Sequence, residues 1–334
     1  MPFESTSSRW RSGHLYDHGD RDLLLTGMVL PTVAALLAEG RIDHFFFLRY
    51  DLGGPHIRLR LRTVPETDPG AGVEPSVEAA LASFFSRRPA SPSLPIDVIR
   101  QRNRAILAEE PSEQDDSVHP DRSVRWPAWE PESDRYGGPA LLPGALDFFA
   151  VSSARVLSLL VEQSGIPRSR RLPGQLRLLA AQAWGMAGSA AELEALLAWA
   201  LPPPGHPLER FVARGDQAFE KSRDGLVALL RSETGEASPE MLYSEAARRL
   251  RQEIAAAPPD VRMRILKSQM HMTANRLGLS NPEEVHAGRL LRRAAEALGD
   301  LQPRPAGSGA SLGELLPQAF SAWLDAPGSK DSAT

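Results

Sequence analysis

In "HFFFLRYDLGGPHIRLRLR" (His44–Arg62) three phenylalanines in a row precede a glycine-rich break, and a strict apolar/basic alternation follows it. After the break Ile57, Leu59 and Leu61 take one side of the chain, and His56, Arg58, Arg60 and Arg62 take the other. This period of two predicts β-runs over 43–51 and 56–63, joined at "LGGP" by a hairpin whose glycines accept positive φ. An earlier run, "RWRSGHLY" (9–16), has the same period and sets Trp10, Ser12, His14 and Tyr16 on one face. Residues 20–39 carry a helical stripe instead, capped by Asp20 and stopped by Gly40, with Pro31 expected to kink or interrupt it.

Beyond the hairpin, "SVEAALASFFSRR" predicts a short helix capped by Ser76. The stretch framed by "PASPSLP" and "EEPSEQDDSVHPD" has no assignable pattern, and "VRWPAWEPESDRYGGPALLPG" reads as irregular. From about 144 onward the pattern is helical, over 144–164, 173–187, 189–200, 207–231, 238–257, 259–278, 282–298 and 311–325. Strands gathered in the N-terminal part and helices in the C-terminal part predict an α+β fold. We expect one domain over 1–334: a strand-rich part (1–135), a helix-rich part (136–326) and a tail (327–334).

Composition narrows the function. The net charge of −4 provides no global field for nucleic acid, so a basic site must be local. With no cysteine in the chain, disulfides, thiolate metal sites and thiol nucleophiles are excluded. No unbroken run of about 18 apolar residues predicts a membrane span. The N-terminus lacks the apolar core of a secretory signal, and a cytoplasmic location is expected. GxGxxG after a strand, GxxxxGK[ST], HExxH and GxSxG are all missing. The eight histidines form only scattered pairs, such as His14 and His18 across a strand–helix junction, so no metal site is expected.

Three clusters remain. The His56/Arg58/Arg60/Arg62 face is either a solvated edge guarded by cations or a cradle for carboxylates and carbonyls, which the forked guanidinium suits. Arg49, on the preceding strand, is expected to converge with Arg58 on one ligand. "WEPESDRYGG" offers Glu132, Arg135 and Tyr136 on a loop whose paired glycines permit close packing, either as a plain surface turn or beside a pocket. In "ILKSQMHMTANRLGL", Ser268, His271 and Asn275 fall on one helical stripe at i, i+3 and i+7, flanked by Arg276. That stripe is either a satisfied polar seam or a proton-transfer group, since a neutral His titrates near pH 7.

Together the motifs "WRSGHLY" with "DLLL", "FFFLRYDLGGPHIRLRLR", "WEPESDRYGG", "FFAVSSARVL" and "HMTANRLGL" resemble the thiopeptide-type bacteriocin biosynthesis family. That family is the C-terminal elimination module of lantibiotic dehydratases, which also occurs free-standing, and the resemblance covers most of the chain. It implies a sheet with helices against it, no metal or redox cofactor, and a leader-bearing precursor peptide containing dehydroalanines and azoles as partner. Two activities follow from it. One is a formal [4+2] aza-cycloaddition of two dehydroalanines that builds a pyridine macrocycle and expels water and leader. The other is glutamate elimination in a split dehydratase. A non-catalytic peptide-binding scaffold is a third possibility. The chain departs from the family pattern at "DLGGPH", where Asp-Pro is usual, and at Ser152-Ser153, where an Asp-Ser pair is usual. Loss of that acid weakens the eliminating role without establishing the cyclising one. For cyclisation, Ser268 and His271 are expected to shuttle protons while Arg58 and Asn275 hold carbonyls. Trp10, Tyr16 and Tyr136 would line the cavity, and His14, Arg49, His56, Arg60, Arg62, Glu132, Arg135 and Arg276 would contact substrate.

Overall fold

The structure, a computed structural model, describes residues 9–64, 72–89, 94–109, 117–231 and 239–298. They form an α+β protein that divides into two compact units, one ending at Pro131 and the other beginning at Glu132. The helix expected over 311–325 and the tail lie outside the described residues.

The first unit is built on a four-stranded antiparallel sheet in the order β2–β3–β1–β4. Its strands are β1 (Trp10–Tyr16), β2 (Ile42–Tyr50), β3 (His56–Thr63) and β4 (Ser123–Arg125). Leu15, Phe45, Phe47, Ile57, Leu59 and Leu61 are wholly buried on one face, as the alternation predicts. Helix α1 (Arg21–Leu24) passes through a π turn (Leu25–Val29) into α2 (Leu30–Ala38), which packs on β2. The Asp20 side chain accepts from the amides of Asp22 and Leu23, so the cap forms as expected. Pro31 lies in the first turn of α2, directly after the wider π turn Leu25–Val29, where a residue without an N–H is tolerated. The hairpin glycines have φ +84 (Gly53) and +115 (Gly54).

Three local expectations are corrected. Helix α3 (Val73–Ser86) begins at Gly72, before Ser76, whose hydroxyl instead accepts from Arg41 at 3.1 Å. Residues Ile96–Glu109 form α4, and its Asn103 carbonyl accepts the Gly53 amide at 3.0 Å, which ties the hairpin turn down. Ser123–Arg125, read as irregular, pairs with β1 as the fourth strand.

The second unit is helical: α5 (Leu142–Glu162), α6 (Leu172–Met186), α7 (Ala190–Leu197), α8 (Glu209–Arg231), α9 (Pro239–Glu253), α10 (Pro259–Leu277) and α11 (Asn281–Leu298). Helix α5 is long and apolar enough to cross a membrane by length and composition, yet 89% of that stretch is buried, which is the signature of a core helix. It packs against α9 and α10. Helices α6 and α9 meet at Gly185, where an added Cβ would lie 2.1 Å from the Ser244 carbonyl oxygen.

Candidate functional site

In the first unit, the pairings His14↔Arg58, Ser12↔Arg60, Trp10↔Arg62 and Tyr16↔His56 put both polar stripes on the same sheet face. Phe46 and Tyr50 join them from β2, opposite Arg60 and His56. This face is no solvated edge: Tyr16 is 2%, His56 1% and Arg60 6% exposed. The Arg58 guanidinium lies 3.6 Å above the Tyr50 ring. The Trp10, Phe46 and Trp129 rings meet edge to face, with centroids 5.1–5.9 Å apart, and the Arg60 guanidinium sits beside Trp129. Trp129 comes from a segment that the hydrophobic pattern left irregular.

The face carries fewer charges than its residue types suggest. Burial, and then the neighbouring His56, Arg60, Arg58 and His119, push His14 down to about 2. Burial likewise pushes His56 down to about 3, against the Gly54 carbonyl that accepts from its Nδ1 at 2.8 Å. Both rings are therefore neutral at pH 7. Arg60 is lowered to about 9 by burial and by Arg58, and it stays protonated. Its Nη2 lies 3.5 Å from His14 Nε2. Ser12 Oγ, His56 Nε2 and Arg60 Nη1 are among the buried polar atoms on this face that have no hydrogen-bond partner among the described residues. Such groups favour a ligand that offers both acceptors and donors, as a peptide does.

One expectation fails here, and a second arginine is engaged within the unit. Arg49 pairs with Ile57, so it projects from the opposite face to Arg58 and cannot converge with it. It forms an ion pair with Asp22 of α1 at 2.5 Å. Arg62 is on the expected face but is already neutralised. A bulge between Ile42 and His44 turns Asp43 toward it, giving a 2.5 Å ion pair, and Arg9 holds the same carboxylate at 2.7 Å. Burial opposes the charge on Asp43, but hydrogen bonds from His44, Arg62 and Arg9 hold it well below the usual carboxylate range.

In the second unit, the 3-10 turn Ser133–Tyr136 ends in Gly137 and Gly138, at φ +82 and +87. A Cβ at Gly137 would come within 2.6 Å of the Leu141 side chain, whereas at Gly138 it is the positive φ alone that favours glycine. Both glycines line an open depression of about 560 Å³ with Asp134, Val261 and Arg264. The turn aims two side chains at Ser268 of α10: Arg135 Nε donates at 2.9 Å, and Tyr136 Oη lies 3.1 Å away. Tyr136 is buried, which raises its pKa. Glu132 pairs with Arg135 at 3.1 Å on the exposed side.

The α10 stripe divides. Ser268 belongs to the Arg135/Tyr136 cluster, whereas Nδ1 of His271 lies 3.0 Å from both oxygens of Glu284 on α11. No hydrogen bond joins Ser268 to His271. Asn275, the third member, is half-buried. Arg276, expected to contact substrate, is enclosed in the helical core. It is fully buried, with its guanidinium 4.5 Å from the Phe149 ring and Nη1 donating to Ser152 Oγ at 3.4 Å. Ser152 bonds Thr273 at 2.9 Å, which in turn meets Tyr243 at 3.2 Å, so the Ser152 position serves a buried network. Glu284 and Trp199 were missed. In "NPEEVHAG" a glutamate in a first helical turn looks like an ordinary end charge, and only the tertiary fold brings it under His271.

Residues 10–295 match the family described as lantibiotic biosynthesis dehydratase C-term. No curated protein matches. Among the solved structures that share the fold are the following three. The pyridine synthase TbtD from thiomuracin biosynthesis is 20% identical, with a TM-score of 0.69 over 87% of this chain and 98% of its own. The tRNA-dependent lantibiotic dehydratase MibB from Microbispora sp. 107891 is 21% identical, with a TM-score of 0.53; the match takes in 86% of this chain but 28% of MibB. TsrL is 17% identical, with a TM-score of 0.53 over 89% of this chain and 99% of its own.

Proposed function

Because the chain belongs to the lantibiotic biosynthesis dehydratase C-term family, we propose that it is an enzyme of ribosomal-peptide maturation that joins two dehydroalanines into a pyridine. The observation that favours cyclisation over elimination is the fold likeness to TbtD: it runs through 98% of that pyridine synthase at a TM-score of 0.69, against 0.53 for the dehydratase. The substrate would be a leader-bearing precursor with azoles and dehydroalanines. One amide tautomerises to its imidic acid, giving a 2-azadiene. The second dehydroalanine adds across it, forming two carbon–carbon bonds. Loss of water and then of the leader as its amide makes the ring aromatic, with no oxidant or reductant.

The chain's own residues divide this work. Holding the two alkenes in register contributes about 7–11 kcal/mol for well-oriented partners. The donors and acceptors of the sheet face, Arg58 and Arg60 with neutral His14 and His56, suit peptide carbonyls and amides. The Ser268–Tyr136 pair and His271 are the groups we assign to proton movement, each worth roughly 10²–10⁴-fold. Asn275 is assigned to a carbonyl.

Mass spectrometry tests the proposal. Pure protein incubated with a bis-dehydroalanine precursor is expected to release leader amide and a macrocycle. No reaction there, together with loss of glutamate from a glutamylated precursor, would replace cyclisation with elimination. Binding without change to either peptide would leave a scaffold.

A further inference from the structure

The His271 ring shows an asymmetry that the sequence does not predict. Its side chain is 41% exposed, while that of Glu284 beneath it is 7% exposed. Both Glu284 oxygens stand 3.0 Å from Nδ1, and the Trp199 indole Nε1 donates to Oε1 at 2.7 Å. Glu284 also lies in the first turn of α11, where the helix dipole favours a carboxylate. His271 of α10 and Trp199, just after α7, thus meet at one carboxylate on α11. No protein group among the described residues hydrogen-bonds Nε2.

We infer that Glu284, braced by Trp199, is a positioning residue that holds His271 as the Nδ1–H tautomer and leaves Nε2 as its proton-accepting atom. The reason is the donor–acceptor inventory. An ionised carboxylate only accepts, so the ring nitrogen facing it must carry the hydrogen. The remaining nitrogen then has its lone pair on the half-exposed edge. The same logic orients the histidine of a serine-protease triad, where exchanging the carboxylate for an amide selects the wrong tautomer. Trp199 stops the carboxylate from rotating away. The Nε2 lone pair takes a proton from a substrate N–H or C–H and returns it to the departing group, so nothing is oxidised or reduced. This inference rests on the proposed role of His271 in the reaction, but its first test does not.

Nitrogen-15 NMR of histidine-labelled protein without substrate reads the tautomer directly, with the His271 signals identified by their loss in His271→Phe. We expect protonated Nδ1 and bare Nε2 in the unaltered protein. In Glu284→Gln, whose oxygen Trp199 retains, the amide NH₂ can donate to the ring, and the population should move toward Nε2–H. Circular dichroism checks the fold. A smaller shift is expected for Trp199→Phe, which keeps the carboxylate but frees its rotation. With a turnover substrate, Glu284→Gln should lower kcat by about 10²-fold with KM little changed. An Nε2–H tautomer in the unaltered protein, or no movement of the tautomer in Glu284→Gln, overturns the inference. A shifted tautomer with full kcat in both Glu284→Gln and His271→Phe leaves the tautomer assignment standing and removes His271 from the proposed reaction.

Discussion

Acid should loosen the sheet unit through His56, and the size of the effect follows from its surroundings. The ring is 1% exposed, donates to the Gly54 carbonyl, and has its pKa pushed from 6.5 to about 3. Because the folded value lies below the unfolded one, the unfolded chain takes up a proton that the folded chain refuses. The stability tied to the neutral ring is whole above pH 6.5 and is lost as pH falls toward about 3. Between pH 7 and 5, one such histidine removes about 2 kcal/mol. In His56→Gln the unfolded state has no such proton to gain. The variant should be the less stable form at pH 7, since it loses the Tyr16 and His14 ring contacts, but the gap should close by about 2 kcal/mol at pH 5. Hydrogen exchange of peptides covering β3, corrected for intrinsic rates, measures local opening without assuming that both units unfold together. A gap that is the same at both pH values would show that folded His56 takes up its proton as readily as the unfolded chain does, and the account of burial holding the ring's pKa down would fall.

Further tests address the helical unit. Ser268→Ala strands the buried Tyr136 hydroxyl and should cost about 1–3 kcal/mol by calorimetry, whereas Ser268→Ala with Tyr136→Phe should recover most of it, because the one donor then left, Arg135 Nε, is on a part-exposed side chain that water can reach. An additive double variant would refute that pairing. Gly185→Ala, which sets a methyl 2.1 Å from the Ser244 carbonyl, should destabilise by about 3 kcal/mol or more, while Gly225→Ala in open space on α8 should stabilise by about 0.5–1 kcal/mol. Equal unfolding temperatures for the two variants would contradict the close α6–α9 contact.

How much of this was legible in the sequence depends on distance along the chain. Period-two alternation placed Ile57, Leu59 and Leu61 in the core and His56, Arg58, Arg60 and Arg62 together on the other face. Asp20, the hairpin glycines and the "YGG" turn were also readable, because caps and positive φ are properties of a few neighbouring residues. Helix α4 was not, since its stripe is thin: Ile99 and Asn103 are its fully buried side chains among the described residues. Arg49 went astray because two arginines on adjacent strands look equivalent until the register is known, and pairing with Ile57 decides its face.

Sequence by itself therefore determined the α+β class, the sides that strand residues take and the three clusters worth inspecting. Those follow from backbone geometry, which repeats every two or 3.6 residues whatever lies nearby. Tertiary structure alone decided that Ser268 answers to Arg135, 133 residues away, that His271 rests on Glu284, and that Arg276 is enclosed in the core. A helical stripe says which side chains point the same way; only the packing of other helices around it says which carboxylate, hydroxyl or ring each one meets.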